Sequence, residues 1–306
     1  MLSLFFYLCF MLVFIMGVYK RHELTEIVLD YYRELQKKYP FKIVIAGSEG
    51  ESSRALCHGF DYIEVNNFPI SNKNNAMMIK AKDFNPDAVV LLGSDNMICE
   101  KTLKFYYKLI KQKEANVVGF YDVYFYSTEH EMLVHFDSGM KSYGAGRYYP
   151  RTVLDKLNFK GWTGSYDRGL DGNNMRNMIA HGITSRVVKL IDSELFLVDV
   201  KHNFSISNKN IIFMGKQLNN KIMARKKIPV EKLDALPIKK NIIKLDESDK
   251  SIFEAAKNVD EPLKLEANKI YTFVSNGKSR FLVAGLYQLS GYECEIFIKK
   301  GYGELK

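Results

Sequence analysis

Two spacings of apolar residues alternate along the chain. Leu12 to Val18 is apolar at nearly every position, the pattern of a strand buried on both faces, whereas Leu24, Ile27, Val28, Tyr31 and Leu35 recur three or four apart and predict an amphipathic helix. Pro40 ends that helix. Phe41 to Ala46 is then a second buried strand, closed by Gly47-Ser48-Glu49-Gly50. Two strands joined by a helix make a right-handed βαβ unit, so the pattern predicts a parallel, doubly wound sheet. Asp61 to Val65 reads as a short third strand, Ser71 to Asn75 as a polar turn, and Ala76 to Phe84 as a helix. After the turn signal Asn85-Pro86-Asp87, Ala88 to Leu92 is a central strand, followed by a helix over Glu100 to Gln112. Asn116 to Phe120, Tyr121 to Tyr126 and Met132 to Phe136 read as strands that continue the sheet with antiparallel partners. A helix over Arg151 to Leu157, a helix over Met175 to His181 opened by Asp171 as N-cap, and strands at Val187 to Leu190 and Leu195 to Val200 complete this part.

The periodicity weakens between Lys216 and Lys250, where Pro229 and Pro237 interrupt a lysine-rich stretch that reads as a linker or arm. Beyond Leu263, short alternating strands flank Asn276-Gly277, a hairpin signal, and predict a small β module. The division is therefore 1–215 as one α/β domain, 216–262 as linker, and 263–306 as the module. Residues 1–19 are almost continuously apolar, which brings a membrane segment with Lys20 and Arg21 as flanking charges into view. The strand reading of Leu12 to Val18 is preferred, leaving Met1 to Phe10 as an upstream extension of that strand or a start-site artefact.

Composition adds little to that picture until charge is placed. The chain has 306 residues, 47% of them hydrophobic, which is enough for a sizeable core. Its four cysteines are scattered, against a disulfide framework or a zinc site and in favour of a reducing, cytoplasmic compartment. The formal charge of +9 concentrates between Lys216 and Lys244. Such a cluster suits phosphates or an anionic surface, although a solvated linker explains it equally.

Candidate chemistry begins at Gly93-Ser94-Asp95-Asn96. A hydroxyl, a carboxylate and an amide stand at the carboxyl end of a buried strand, the place where open α/β sheets bind ligands, and oxygen donors there suit Mg²⁺ or Mn²⁺. The plainer reading makes Asp95 or Asn96 a helix cap. Trp162, the only tryptophan, lies in the Gly-rich loop Gly161 to Asp167, where it either stacks on a flat ligand or pins the loop to the core.

In this order the signals resemble the nucleotide-sugar glycosyltransferases of the GT-A fold, the large family 2 type, over roughly Leu12 to Asn210. FIMGVYKR is similar to that family's first strand and its "P-x-Y-N-R" turn, Gly47 to Gly50 stands at its "D-D-G-S", and SNKNNA is similar to its "K-G-x-A-x-N" loop. L-G-S-D-N stands at its "L-D-A-D-D" metal motif, with Gly93 in place of the first carboxylate. GAGRYYPRTVLDKLNFKGW resembles the acceptor-side segment, LDGNN falls at the "E-D" motif, and VDVKHN resembles the late strand that reaches metal or diphosphate. The resemblance implies Asp171 as general base and Tyr19, Arg21, Glu49, Lys73, Asn75 and Ser94 on the donor. It also implies Arg147, Trp162 and Asp167 on the acceptor, and Asp95 with His202 on a Mn²⁺ or Mg²⁺ ion.

The function expected on this basis is transfer of a sugar from a nucleoside diphosphate to a saccharide or glycan hydroxyl. Three other readings compete: a viral-type enzyme that glycosylates modified nucleic acid bases through the Lys216 to Lys244 cluster, a non-catalytic nucleotide-sugar-binding module, and a nucleotidyltransferase. GVYKRHE lacks the phosphate-gripping glycines that the last would need. Nucleic acid is not favoured as acceptor, because no aromatic residues interleave the lysines to stack bases.

Overall fold

A computed structural model describes residues 10–139, 142–202 and 215–236, together with four strands beyond 262. The chain divides into two compact units. Residues 215–238 belong to the first, with everything up to Ser207, and 239–306 to the second together with 208–214.

The first unit is a mixed α/β structure with two sheets. Four strands, β1 (Leu12–Gly17), β2 (Phe41–Gly47), β3 (Asp61–Glu64) and β4 (Ala88–Gly93), run parallel in the order β3-β2-β1-β4. They are linked by α1 (His22–Gln36), α2 (Glu51–Leu56) and α3 (Ile70–Ala81). The chain then leaves this sheet. Ser94 and Asp95 carry it from β4 into β5 (Asn96–Ile98), which belongs to a second sheet. After α4 (Glu100–Lys111) it returns to the first sheet in β6 (Val117–Phe120), and crosses again at Tyr121 into β7 (Asp122–Ser127) and β8 (Met132–Asp137). Next, β9 (Tyr148–Pro150) inserts antiparallel between β4 and β6, and α5 (Arg151–Lys156), α6 (Leu170–Ala180) and β10 (Ser185–Val188) complete the first sheet. Finally, β11 (Leu197–Lys201) lies between β7 and β5 in the second sheet, and β12 (Lys216–Leu218) edges it against β8.

The strands β1, β2 and β4 keep to within one residue the boundaries their apolar runs predict, because a strand buried on both faces must be apolar throughout, whereas β3 is a half-buried edge strand. Val13, Ile15, Val44, Ala46 and Val89 form one core layer with Met77 and Met78 of α3, while Phe14 packs on Tyr32, Phe41 and Tyr106 on the other side.

Four expectations change. The strands at 122–127 and 132–137 build a second sheet instead of extending the first. Ser71 to Asn75, read as a turn, is the opening of α3, which begins after Pro69. The helix read over 175–181 starts at Leu170, with Gly169 rather than Asp171 at its N-cap. Residues 215–236, read as the front of a linker, pack on the first unit: β12 pairs with β8, and α7 (Lys221–Arg225) and α8 (Val230–Asp234) bury Met223 and Leu233 completely.

In the second unit, β13 (Leu263–Lys264) pairs with β16 (Gln288–Leu289). The strands β14 (Ile270–Ser275) and β15 (Lys278–Val283) pair antiparallel with Ser275 opposite Lys278, the register expected around Asn276-Gly277. The expectation for Met1 to Cys9 lies outside the described residues. Among those described, no helix is long and apolar enough to cross a membrane.

Candidate active site

The parallel strands end level with one another. Gly17 of β1 stands beside Ala46 of β2 on one side and Gly93 of β4 on the other, so the loops that follow all emerge at one edge. After β1, Lys20 and Arg21 take left-handed backbone conformations at φ 54° and 52°, a cost of about 1 kcal/mol or more each for residues with a Cβ. That bend starts α1 and turns the Arg21 guanidinium inward. Its Nη1 donates to Asp95 Oδ2 at 2.5 Å and its Nη2 to Ser94 Oγ at 3.1 Å. Burial alone would raise the Asp95 carboxyl, but the charges of Arg21 and Lys201 outweigh it and hold Asp95 below the usual carboxylate range.

Gly93 has a physical reason to be glycine. A Cβ there would stand 2.5 Å from Asp95 Oδ1, so a side chain at 93 would have to displace Asp95 from the position in which it folds back toward Arg21. Asp95 is neither helix cap nor loop tip. It is the crossing between the two sheets, and its carbonyl accepts from Val200 N at 2.8 Å, which ties it to β11.

Around this point the other residues expected on the donor separate into two groups. Tyr19, half-buried, meets the exposed ring of Phe68 edge-on, with the Lys20 ammonium over its face. Glu49 accepts from the backbone N–H of Lys20 at 2.8 Å and bonds His22 Nε2 at 2.9 Å. Despite partial burial, these bonds hold its carboxyl low. These residues line the open edge. Lys73 does not reach it. It is 3% exposed, and its ammonium donates to Val18 O, Ser48 Oγ and Asn67 Oδ1, locking together the loops after β1, β2 and β3. Burial pushes its pKa down to about 8.

Of Asn75 and the three residues expected on the acceptor, Asn75, Trp162 and Asp167 fasten the loop at 161–169, and Arg147 bonds α6 and Ser142 instead. Asn75 exchanges two hydrogen bonds with the Trp162 backbone, at 2.8 and 3.0 Å. Trp162 is 3% exposed in the main core and donates its indole N–H to Leu170 O, so it pins the loop. Asp167 accepts from Ile70 N at 3.0 Å and caps α3. Arg147 is fully buried, bonding Asn174 Oδ1 at 2.7 Å and Ser142 O at 3.1 Å, and its Nε has no hydrogen-bond partner among the described residues. These contacts reach α6 directly, since Tyr149 also donates to Asn174. What they position is Asp171, exposed in the first turn of α6 with its carboxylate against the Cα of Gly144.

His202 and Asp95 have different partners. The imidazole Nδ1 lies 2.7 Å from Thr128 Oγ1 at the end of β7, while Asp95 faces Arg21. Among the described residues no group of three His, Cys, Asp or Glu side chains is placed to hold a metal ion. The carboxylates of Asp95 and Asp199 each already have their own cation, Arg21 and Lys201. The donor set as placed does not fit a resident divalent cation. Sequence reasoning missed Asp199 and Lys201. The signal was present as two charges alternating with buried Val198 and Val200 on a strand otherwise apolar.

A cleft of about 470 Å³ lies elsewhere, between α1 and residues 227–232, and contains none of these strand-end residues.

No family model matches the chain, and no curated protein matches it. Solved structures do. A CMP:2-keto-3-deoxy-manno-octonic acid synthetase complexed with CTP is 14% identical over 58% of this chain and 89% of its own, with a TM-score of 0.39. The mannosyltransferase PcManGT from Pyrobaculum calidifontis, in complex with GDP-Man and Mn²⁺, is 15% identical over 62% of this chain and 56% of its own, with a TM-score of 0.42. Likeness at that level leaves the ligand and the reaction to this chain's own residues.

Proposed function

We propose that the first unit is a glycosyltransferase that moves a sugar from a nucleoside-diphosphate sugar to an acceptor hydroxyl, with a glycan as the acceptor class. The observation that carries this reading is the convergence of Arg21, Ser94 and Asp95 where parallel strands end and the chain crosses between sheets, the ligand position of open α/β folds. Tyr19 and Phe68 offer aromatic surface to the nucleobase, and Glu49 a carboxylate to its N–H groups. Asp171, exposed on a helix whose position Arg147 and Tyr149 fix through Asn174, takes the acceptor proton. As the acceptor oxygen bonds to the anomeric carbon, the bond from that carbon to the diphosphate breaks, and the nucleoside diphosphate leaves with the electron pair.

The nucleic acid reading draws less on the lysine cluster than its charge suggests. Lys226 Nζ donates to Glu194 O and Lys227 pairs with Glu100, so two of its cations are spent on the protein itself.

A panel of nucleotide sugars, assayed for release of nucleoside diphosphate, tests the proposal. One donor should be hydrolysed slowly without acceptor, and Asp95→Ala should abolish this in a variant that circular dichroism shows to be folded, with a lowered melting temperature because Arg21 loses its ion-pair partner. No hydrolysis of any donor, with or without acceptor sugars, would count against an enzyme of this class.

A further inference from the structure

The late strand β11 carries two charges for which the roles above have no use. Asp199 and Lys201 alternate with buried Val198 and Val200, so both project from one face. Lys201, 2% exposed, donates to Asp199 Oδ1 at 2.8 Å. Antiparallel pairing sets Asp199 opposite Asn96, and Val200 N bonds the carbonyl of Asp95, which places this pair beside Arg21 and Asp95. The four charges alternate in sign around one spot. Lys201 helps to hold the Asp95 carboxyl low, and Asp199 helps to hold the Arg21 guanidinium charged. Burial, and the nearby charge of Asp95, raise the Asp199 carboxyl in spite of Lys201.

Stability does not account for this cluster. Removing ions from water is expensive, and a well-packed apolar pair of similar volume generally does as well or better. The left-handed backbone at Lys20 and Arg21, which turns the guanidinium toward this spot, adds a further cost. Costs of this kind collect where a ligand is bound, and the cluster lies at the carboxyl ends of β1 and β4.

We propose that Arg21 and Lys201 together bind the diphosphate of the donor, with Asp95 and Asp199 holding the two cations desolvated and oriented until it arrives; this rests on the glycosyltransferase reading. The planar guanidinium fork matches phosphate oxygens, and the bonds to Asp95 and Ser94 involve Nη1 and Nη2, each of which carries a second N–H. Cations fixed beforehand lower the ordering cost of binding. Guanidinium and ammonium thus neutralise the leaving diphosphate, the task that a divalent cation would otherwise perform, and the chain can dispense with a carboxylate at Gly93.

The test is isothermal titration of the full chain with each common nucleoside diphosphate and its parent nucleoside, first in EDTA and then with Mn²⁺. The wild type is compared with Asp199→Asn/Lys201→Met, a swap that removes both members of an ion pair and leaves no buried charge alone. One diphosphate should bind the wild type in EDTA. The double variant should keep its melting temperature and its nucleoside affinity while losing about tenfold or more in diphosphate affinity. Arg21→Lys, which keeps the charge but not the fork, should show the same selective loss and covers the case of a double variant that fails to fold. Equal diphosphate affinity in the wild type and the variants overturns the proposal, as does wild-type binding that appears only with Mn²⁺. No binding by the wild type under either condition overturns the donor reading itself, a distinct result.

Discussion

At Gly93 a missing side chain is a requirement. The space a Cβ would fill is taken by Asp95 as it turns to Arg21, so the glycine and the Arg21–Asp95 ion pair are one feature. Gly93→Asp should therefore push Asp95 off Arg21 and weaken donor binding in a titration. A gain of Mn²⁺-dependent affinity would contradict this. Lys73 gives a second prediction through its pKa. The folded value of about 8 lies below the ordinary 10.5, so the folded chain releases this proton before the unfolded chain does. Wild-type stability should then rise between about pH 8 and 9.5, and Lys73→Met should lack that rise, as urea midpoints at several pH values would reveal. Arg21, Ser94 and Asp95 could be read from the sequence because they follow apolar runs that can only be central strands. Lys73 could be placed near them but not given its task, since its three acceptors come from separate loops that only the fold brings together.

At the scale of elements, the segment 161–169 and the helices α3 and α6 behave as one fastened body. Side chains that looked ligand-facing in the sequence are its fasteners, because Asn, Asp and Ser close on backbone groups as readily as on a ligand. Ser71, Asn75 and Asp167 all do so, and this is why the start of α3 was misread as a turn. Trp162→Ala should cost about 3 to 5 kcal/mol, measured by denaturant unfolding, as expected for a large side chain lost from the core. Gly144→Ala should act differently. The added methyl meets the carboxylate of Asp171, so turnover should fall while donor affinity stays as it was, a loss in kcat without a change in donor binding. An equal loss of both would mean that the 144–147 turn supports the donor side instead.

For the whole molecule, the parallel pairing of the early strands was legible because βαβ units admit one handedness and short crossovers, while their order β3-β2-β1-β4 came from the structure. The second sheet was not. Antiparallel strands at 122–127 and 132–137 have the same alternating pattern whether they extend one sheet or found another, and the crossings at Ser94-Asp95 and Tyr121 leave no mark in hydropathy. The lysines of 216–236 hid apolar anchors in the same way: Met223, Ile228, Leu233 and Leu236 are buried, Asn220 accepts from Leu133 N, and Tyr126 bonds Asp234. A chain ending at residue 238 should fold and bind nucleotide, whereas one ending at 210 should unfold at lower temperature, which calorimetry on the two truncations would check. The central claim is that a nucleotide sugar lies across the ends of β1, β2 and β4. Photolabelling with an azido-substituted nucleotide sugar, followed by peptide mapping, tests it most directly: label should fall on peptides containing Tyr19, Glu49 or Phe68, and label confined to the cleft beside Tyr31 and Lys227 would contradict the account.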